Sequence, residues 1–234
     1  MLFSILTTSV FFWSPYFFSD CVDLKAQPVL KENEDLIIQY DCPDDHYSPL
    51  ATLFFNTEGA AIRSIISRFC DSGGIIVSWS HMLVYFCAWY FFTITTYGVW
   101  TPAGLFLPGI IIGCALGSVY QLAVEAIFDI NPDTMTKEEL DSYYEFATVP
   151  VLCAAGAMLS GYTRLTYCLV VIMLETTSSI NIFVPMALGI LVARAVGGIF
   201  TVGLYSRAIR AKQLPVLKEV IPHDNKNIPI YKIM

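Results

Sequence analysis

Gly104-Leu105-Phe106-Leu107-Pro108 is the run whose residue types and spacing suggest chemistry. None of the five carries a charge, so whatever they bind they bind through the backbone. Pro108, two residues past Phe106, fits the first turn of a helix running on to about Phe128. The N–H groups of Leu105, Phe106 and Leu107 are then donors without helical partners. The helix dipole adds about half a positive charge at the same place. Such a helix start, kept dry, holds an anion without any basic side chain. The bland alternative is a helix kinked by Pro and Gly for packing alone, and the five residues by themselves do not choose between the two.

The surroundings make the site dry. Residues 98–117 sit within a longer stretch, 72–124, that contains no Asp, Glu, Lys or Arg. One helical pass through a bilayer needs roughly 20 apolar residues, so this stretch has length for two. It is broken in the middle by Gly98, Pro102, Gly104, Pro108 and Gly109. Broken backbone at membrane depth is tolerated only against protein, water or a bound ion, and such breaks mark binding sites in transporters. The whole chain agrees: 56% of its residues are hydrophobic and 14% charged, against about 25% charged in soluble domains. A polytopic, all-α membrane protein is expected. The net charge of −7 comes from acids clustered at 20–45 and 129–145, and no basic patch suggests nucleic acid. The seven cysteines form no CxxC and no Cys/His cluster, so neither a metal nor another cofactor is expected. No nucleophile–base pair is visible either, which argues against an enzyme.

In chain order, residues 1–19 are uncharged and aromatic. They read as a membrane helix with part of its start missing rather than as a signal peptide, since there is no basic n-region and no A-x-A site. Residues 20–71 are too polar to span and form a luminal or extracellular loop followed by an amphipathic helix over 51–69. Cys21 and Cys42 bracket the first half of that loop. They are expected as a disulfide if the loop faces an oxidising compartment, and as two free thiols otherwise. Residues 75–97 read as the first clear span, with His81 as a packed or interfacial residue or else a proton relay. The acidic loop 129–145 leads into a charge-free span, 146–163, rich in small residues that let helices approach closely; Arg164 follows. The apolar run 165–174 precedes Glu175. An acid at such depth is either functional or a structural acceptor. Residues 180–200 are a further span, expected to break at Gly197-Gly198. A last short helix from about 202 leads into Arg207, Arg210 and Lys212, which places the C-terminal end in the cytoplasm and the 129–145 loop on the opposite face.

Four segments together resemble the CLC family of chloride channels and chloride–proton exchangers. Gly104-Leu105-Phe106-Leu107-Pro108 resembles that family's G-x-F-x-P anion motif. Leu50-Ala51-Thr52-Leu53-Phe54-Phe55-Asn56 resembles a segment of its eukaryotic members, above all the endosomal and lysosomal type. Val171-Ile172-Met173-Leu174-Glu175 resembles the helix after its conserved arginine, here Arg164. Gly203-Leu204-Tyr205 resembles the approach to its anion-coordinating tyrosine. Order and spacing agree across nearly the whole chain.

The resemblance implies a homodimeric fold of two inverted halves, of which this chain matches only the second. Leu105 and Phe106 would bind chloride through N–H groups, Gly104 and Pro108 would shape the turn, and Tyr205 would donate its hydroxyl. Residues 72–212 would carry the anion site, and helices within 165–200 the dimer seam. Residues 213–234 would be a cytoplasmic tail opening a cystathionine-β-synthase-type domain at 228–234. The chain is therefore expected to be the C-terminal half of a longer transporter in the plasma membrane or an endomembrane, such as an endosome, lysosome or vacuole. It would need the missing first half for a complete pore. The family pattern is not kept everywhere: Trp100, Thr101 and Pro102 replace residues that are often small, and Ser118 stands where Arg is frequent. Channel and exchanger both fit, since the glutamates that separate them belong to the missing half. A non-transporting membrane subunit or pseudo-transporter acting only through a partner is the alternative from another class.

Overall fold

In the computed structural model the described residues are 2–18, 20–23, 37–70, 77–99, 104–128, 137–177 and 180–215. The departures noted at Trp100, Thr101 and Pro102, and the tail at 228–234, lie outside them. The described chain is helical: α1 Leu2–Phe17, α2 Pro49–Phe55, α3 Glu58–Cys70, α4 Trp79–Thr96, α5 Phe106–Phe128, α6 Lys137–Thr163, α7 Tyr167–Thr177, a 3-10 turn Ile180–Ile182, α8 Phe183–Phe200 and α9 Leu204–Ala211. Two short antiparallel strands, β1 Val22–Asp23 and β2 His46–Tyr47, pair Val22 with Tyr47. Among the described residues, three helical stretches, Phe106–Phe128, Phe146–Thr163 and Ile180–Ala211, are long and apolar enough to cross a membrane.

The centre is the α5–α6 pair. Gly109, Gly113 and Gly117 recur at four-residue intervals, so they share one face of α5. A Cβ on Gly113 would stand 2.5 Å from the Ala155 Cα and 2.8 Å from the Ala154 carbonyl oxygen; one on Gly117 would stand 2.7 Å from the Val151 Cα. The two backbones touch where side chains would otherwise separate them, as small residues allow in lipid. α8 packs on the other side of α6, Ile190 filling the space over Gly156. α4 lies along α5, and α3 bridges α5 and α6. Leu50, Leu53, Met82, Tyr85, Ile111, Val151, Leu159 and Met186 share a single buried cluster.

Four expectations about boundaries are corrected. The stretch 51–69 is two helices, not one. Ser48 caps α2 by accepting from the Ala51 N–H, with Pro49 in its first turn. Asn56 then leaves the helix and Thr57 starts another by accepting from the Ala60 N–H; a hydroxyl in the cap position competes with helix continuation. The acidic segment 129–145 is not all loop, because α6 begins at Lys137. Residues 137–140, Lys-Glu-Glu-Leu, are strong helix formers and carry the helix beyond the apolar span. The Tyr143 hydroxyl there donates to Glu125 at 2.8 Å, tying this extension to the far end of α5. Gly197-Gly198 does not break α8, which continues to Phe200 and ends at Thr201. The helical bond from the Thr201 N–H to the Gly197 carbonyl is intact, and Gly197 gives room to the Arg164 guanidinium. The stretch 75–97, read as the first clear span, is helical over Trp79–Thr96 but, with Trp79, Ser80 and His81 at its start and Thr93, Thr95 and Thr96 at its end, is not among the stretches apolar enough to cross; Gly98, at φ +94°, turns the chain after it.

Cys21 and Cys42 are joined as a disulfide, with Cα atoms 5.8 Å apart, beside the β1–β2 pair. His81, at the start of α4, is buried and its Nε2 lies 3.2 Å from an Asp20 carboxylate oxygen, one residue from that bridge. Closing a 21-residue separation restricts the unfolded chain by about 3 kcal/mol on the loop-entropy account. Non-reducing digestion is expected to release a peptide pair linked through Cys21 and Cys42. Recovery of both as alkylated thiols from protein extracted with an alkylating agent would contradict the bridge.

Candidate anion site

The start of α5 is built as a donor site. Gly104 precedes the helix, Leu105 is its N-cap, and the first helical bond runs from the Gly109 N–H to the Leu105 carbonyl at 3.2 Å. Leu105, Phe106 and Leu107 therefore have N–H groups with no carbonyl inside the helix, and Pro108 has none to leave unpaired. Phe106 and Leu107 are 38% and 39% exposed, so the described residues do not seal this turn.

A residue with no role in the sequence reading fixes the turn from behind. The Tyr162 hydroxyl, at the end of α6, donates to the Leu105 carbonyl at 2.6 Å. Gly109 makes this possible, since a Cβ there would collide with the Tyr162 hydroxyl and stand 3.0 Å from its Cζ. With that carbonyl held back onto α6, the free N–H groups face the other way. No local pattern pointed to Tyr162. Its position just before Arg164, at the end of a charge-free span, was the only signal.

The first turn of α9 comes to the same place from 100 residues downstream. Leu105, Gly109, Tyr162 and Leu204 line one cleft of about 280 Å³, together with Thr93 and Tyr97 of the α4 end. Gly104, Leu105 and Pro108 share a larger cleft of about 940 Å³ with Ala208 and Ala211 of α9, with Lys212 just after it, and with Glu58 and Trp89. Tyr205, the neighbour of Leu204, is 53% exposed and lines neither cleft, and its hydroxyl makes no hydrogen bond with another described residue. Basic Arg207 and Arg210 follow on α9, and Lys212 caps its end. The start of α5 and the first turn of α9 thus meet at one end of the α5–α6 pair.

Arg164 ends α6 and turns its side chain under α8. Its guanidinium donates to the carbonyls of Arg194 (3.2 Å), Gly197 (2.6 Å) and Thr201 (2.8 Å), and to the Thr201 hydroxyl (3.2 Å). Glu175, by contrast, is exposed near the end of α7 and lines neither cleft. Ser118 is buried and bonds the Cys114 carbonyl of its own helix at 2.9 Å, a packing role well along α5 from the donor turn. Among the described residues, no three His, Cys, Asp or Glu side chains gather as a metal site.

A model of the family described as voltage gated chloride channel matches residues 1–198. Chloride channel protein C of Dictyostelium discoideum is 28% identical over 238 residues, covering all of this chain and 29% of that protein. The H(+)/Cl(-) exchange transporter 7 of Homo sapiens is 29% identical over 243 residues, covering all of this chain and 27% of its own length. Chloride channel protein CLC-d of Arabidopsis thaliana is 33% identical over 176 residues, 75% of this chain and 20% of that protein. The chain thus spans less than a third of the length of these relatives.

Proposed function

This chain belongs to the voltage-gated chloride channel family, and on that footing we propose that it supplies one wall of a chloride pathway. The ion sits at the start of α5, held by the N–H groups of Leu105 and Phe106, with Gly104 and Pro108 shaping the turn and Tyr205 donating from α9. The observation that carries the reading is the meeting of an N-terminus whose donors are unpaired with the first turn of α9 across one cleft. Neutral donors suit transport rather than storage: in a dry constriction they replace hydration, while a full positive charge beside the ion would slow its release. Transport, not catalysis, is the activity, and chloride is the ion carried.

The finer reading follows from the same layout. The apolar outer faces of α7 and α8, where Val171, Leu188, Leu191, Val192 and Val196 are exposed, meet lipid or a second copy, within the 165–200 seam. On this reading 20–23 and 37–47 face an oxidising, non-cytoplasmic compartment, which the disulfide suits, and the C-terminal end faces the cytoplasm, which the basic residues of α9 suit. The relatives are named both as chloride channels and as H(+)/Cl(-) exchange transporters; the likeness of Leu50-Ala51-Thr52-Leu53-Phe54-Phe55-Asn56 to the endosomal and lysosomal type favours an endomembrane. The pore is completed by a further half, as the short span against those relatives suggests.

Tyr205→Phe tests the reading. It removes one hydrogen bond to a charged group, worth about 1.5–3 kcal/mol when dry, so chloride affinity should fall roughly ten- to a hundredfold with the melting temperature unchanged. Titration calorimetry of chloride into the nanodisc-embedded protein measures it. Equal affinities would remove Tyr205 from the site.

A further inference from the structure

Tyr205 is exposed on an eight-residue helix with no buried residue, so packing of α9 does not by itself fix where that hydroxyl stands. What precedes it does. Only Thr201, Val202 and Gly203 separate α8 from α9. Arg164 binds both ends of this elbow: its guanidinium takes the carbonyls of Gly197 and Thr201 and the Thr201 hydroxyl, and a Cβ on Gly203 would stand 2.7 Å from its Cγ. The aliphatic stem lies against the start of α9 while the charged fork fills the end of α8. A cation suits that helix end, where the dipole is negative and carbonyls lack helical partners. Neighbouring bonds make the junction a unit, for Arg194 donates to the Thr166 hydroxyl at 3.2 Å, and the Ser160 hydroxyl reaches the carbonyls of Leu165 and Ile190.

The backbone tells the same way. Arg164 has φ +67°, the left-handed region where a helix end ordinarily places Gly. An L residue is held there only when its surroundings compel it. Here the compelling contacts are the side chain's own bonds to α8, so the sequence keeps Arg where the backbone alone favours Gly.

We propose that Arg164 is a positioning residue, whose guanidinium pins the α8–α9 elbow and so sets the place of the Tyr205 hydroxyl beside the start of α5. The link to ion binding rests on the anion reading of Tyr205; the pinning of the elbow does not. Arg serves and Lys does not, because a planar fork reaches several carbonyls at once whereas an ammonium is a single point.

The test uses three variants of the whole chain in nanodiscs. Arg164→Gly removes the peg and relaxes the left-handed backbone, Arg164→Lys keeps the charge without the fork, and Gly203→Ala pushes a methyl into the Arg164 stem. Spin labels at Ser206 on α9 and Leu116 on α5, both exposed, report the distance distribution by double electron–electron resonance. Chloride titration and thermal melting are run in parallel. We expect a narrow distribution in the parent and a broadened or shifted one in all three variants. Chloride binding should weaken on the order of tenfold, as when the competent arrangement falls to a tenth of the population. Melting of Arg164→Gly should move less than its chloride affinity. If Arg164→Gly does not fold, Arg164→Lys and Gly203→Ala carry the comparison. An unchanged distribution in the variants that fold would overturn the proposal. A broadened distribution in a protein whose parent binds no chloride would uphold the elbow and sink the anion reading instead.

Discussion

Gly113→Ala is expected to be the most damaging single-methyl change in the chain. The new Cβ would stand 2.5 Å from the Ala155 Cα and 2.8 Å from the Ala154 carbonyl oxygen, both backbone atoms, so no side chain can swing away. α5 and α6 would have to part, loosening Gly109 from Tyr162 and Gly117 from Val151 at the same time. Overpacking of a good core costs about 1–3 kcal/mol, and a backbone–backbone collision belongs at or above the top of that range. For a chain of this size, 3 kcal/mol lowers the melting temperature by about 10 °C. Gly161→Ala is the matched control. Its Cβ would meet nothing within 4 Å, and alanine is the better helix former, so its melting should be unchanged or slightly raised. Scanning fluorimetry on the intrinsic tryptophans decides; equal melting of Gly113→Ala and the parent would show that the two helices are not in contact there.

Phe106→Asp is expected to do the reverse, keeping the fold and losing the ion. Phe106 is the first helical residue of α5, and a carboxylate in a first turn complements the dipole by about 0.3–1 kcal/mol. It would also offer its oxygens to the N–H groups of the same turn, becoming a tethered anion where chloride is proposed to sit. A like charge about 4 Å away at an effective dielectric of 20 costs about 4 kcal/mol, roughly a thousandfold in affinity. Phe106→Asn, the uncharged control, should lose far less. Chloride titration with melting curves on the three proteins checks both halves. Retained chloride affinity in Phe106→Asp would place the ion elsewhere.

What the residues announced and what they hid divide along sequence distance. Gly104, Pro108 and the charge-free run behind them mark the start of α5 because Pro and Gly act locally, on their own turn. Ser48-Pro49 and Thr57 are equally local, but they lie inside one helical pattern of apolar residues, which concealed the break at Asn56. The polar start of α6 was half legible: Thr136-x-x-Glu139 has the spacing of a capping box, but Lys137 to Glu139 look like loop to a hydropathy reading while their helix propensity is high. Gly197-Gly198 looked like a break because the reason for Gly197 lies 33 residues away, in the Arg164 guanidinium. The Tyr162–Leu105 bond spans 57 residues, and no period or spacing announces it. The meeting of α5 with α9 was expected through the family resemblance, not from any pattern in this chain.

The central claim is that the unpaired N–H groups at the start of α5 and the hydroxyl of Tyr205 hold one anion. Bromide, a heavier halide with the same charge, tests it in a single structure through its anomalous X-ray scattering. Crystals of the full-length polypeptide carrying this segment, grown in bromide, should show an anomalous peak within hydrogen-bond distance of the Leu105 and Phe106 nitrogens and of the Tyr205 hydroxyl. That peak should vanish in Phe106→Asp. Bromide bound elsewhere in the protein, with these three donors bare, would contradict the account.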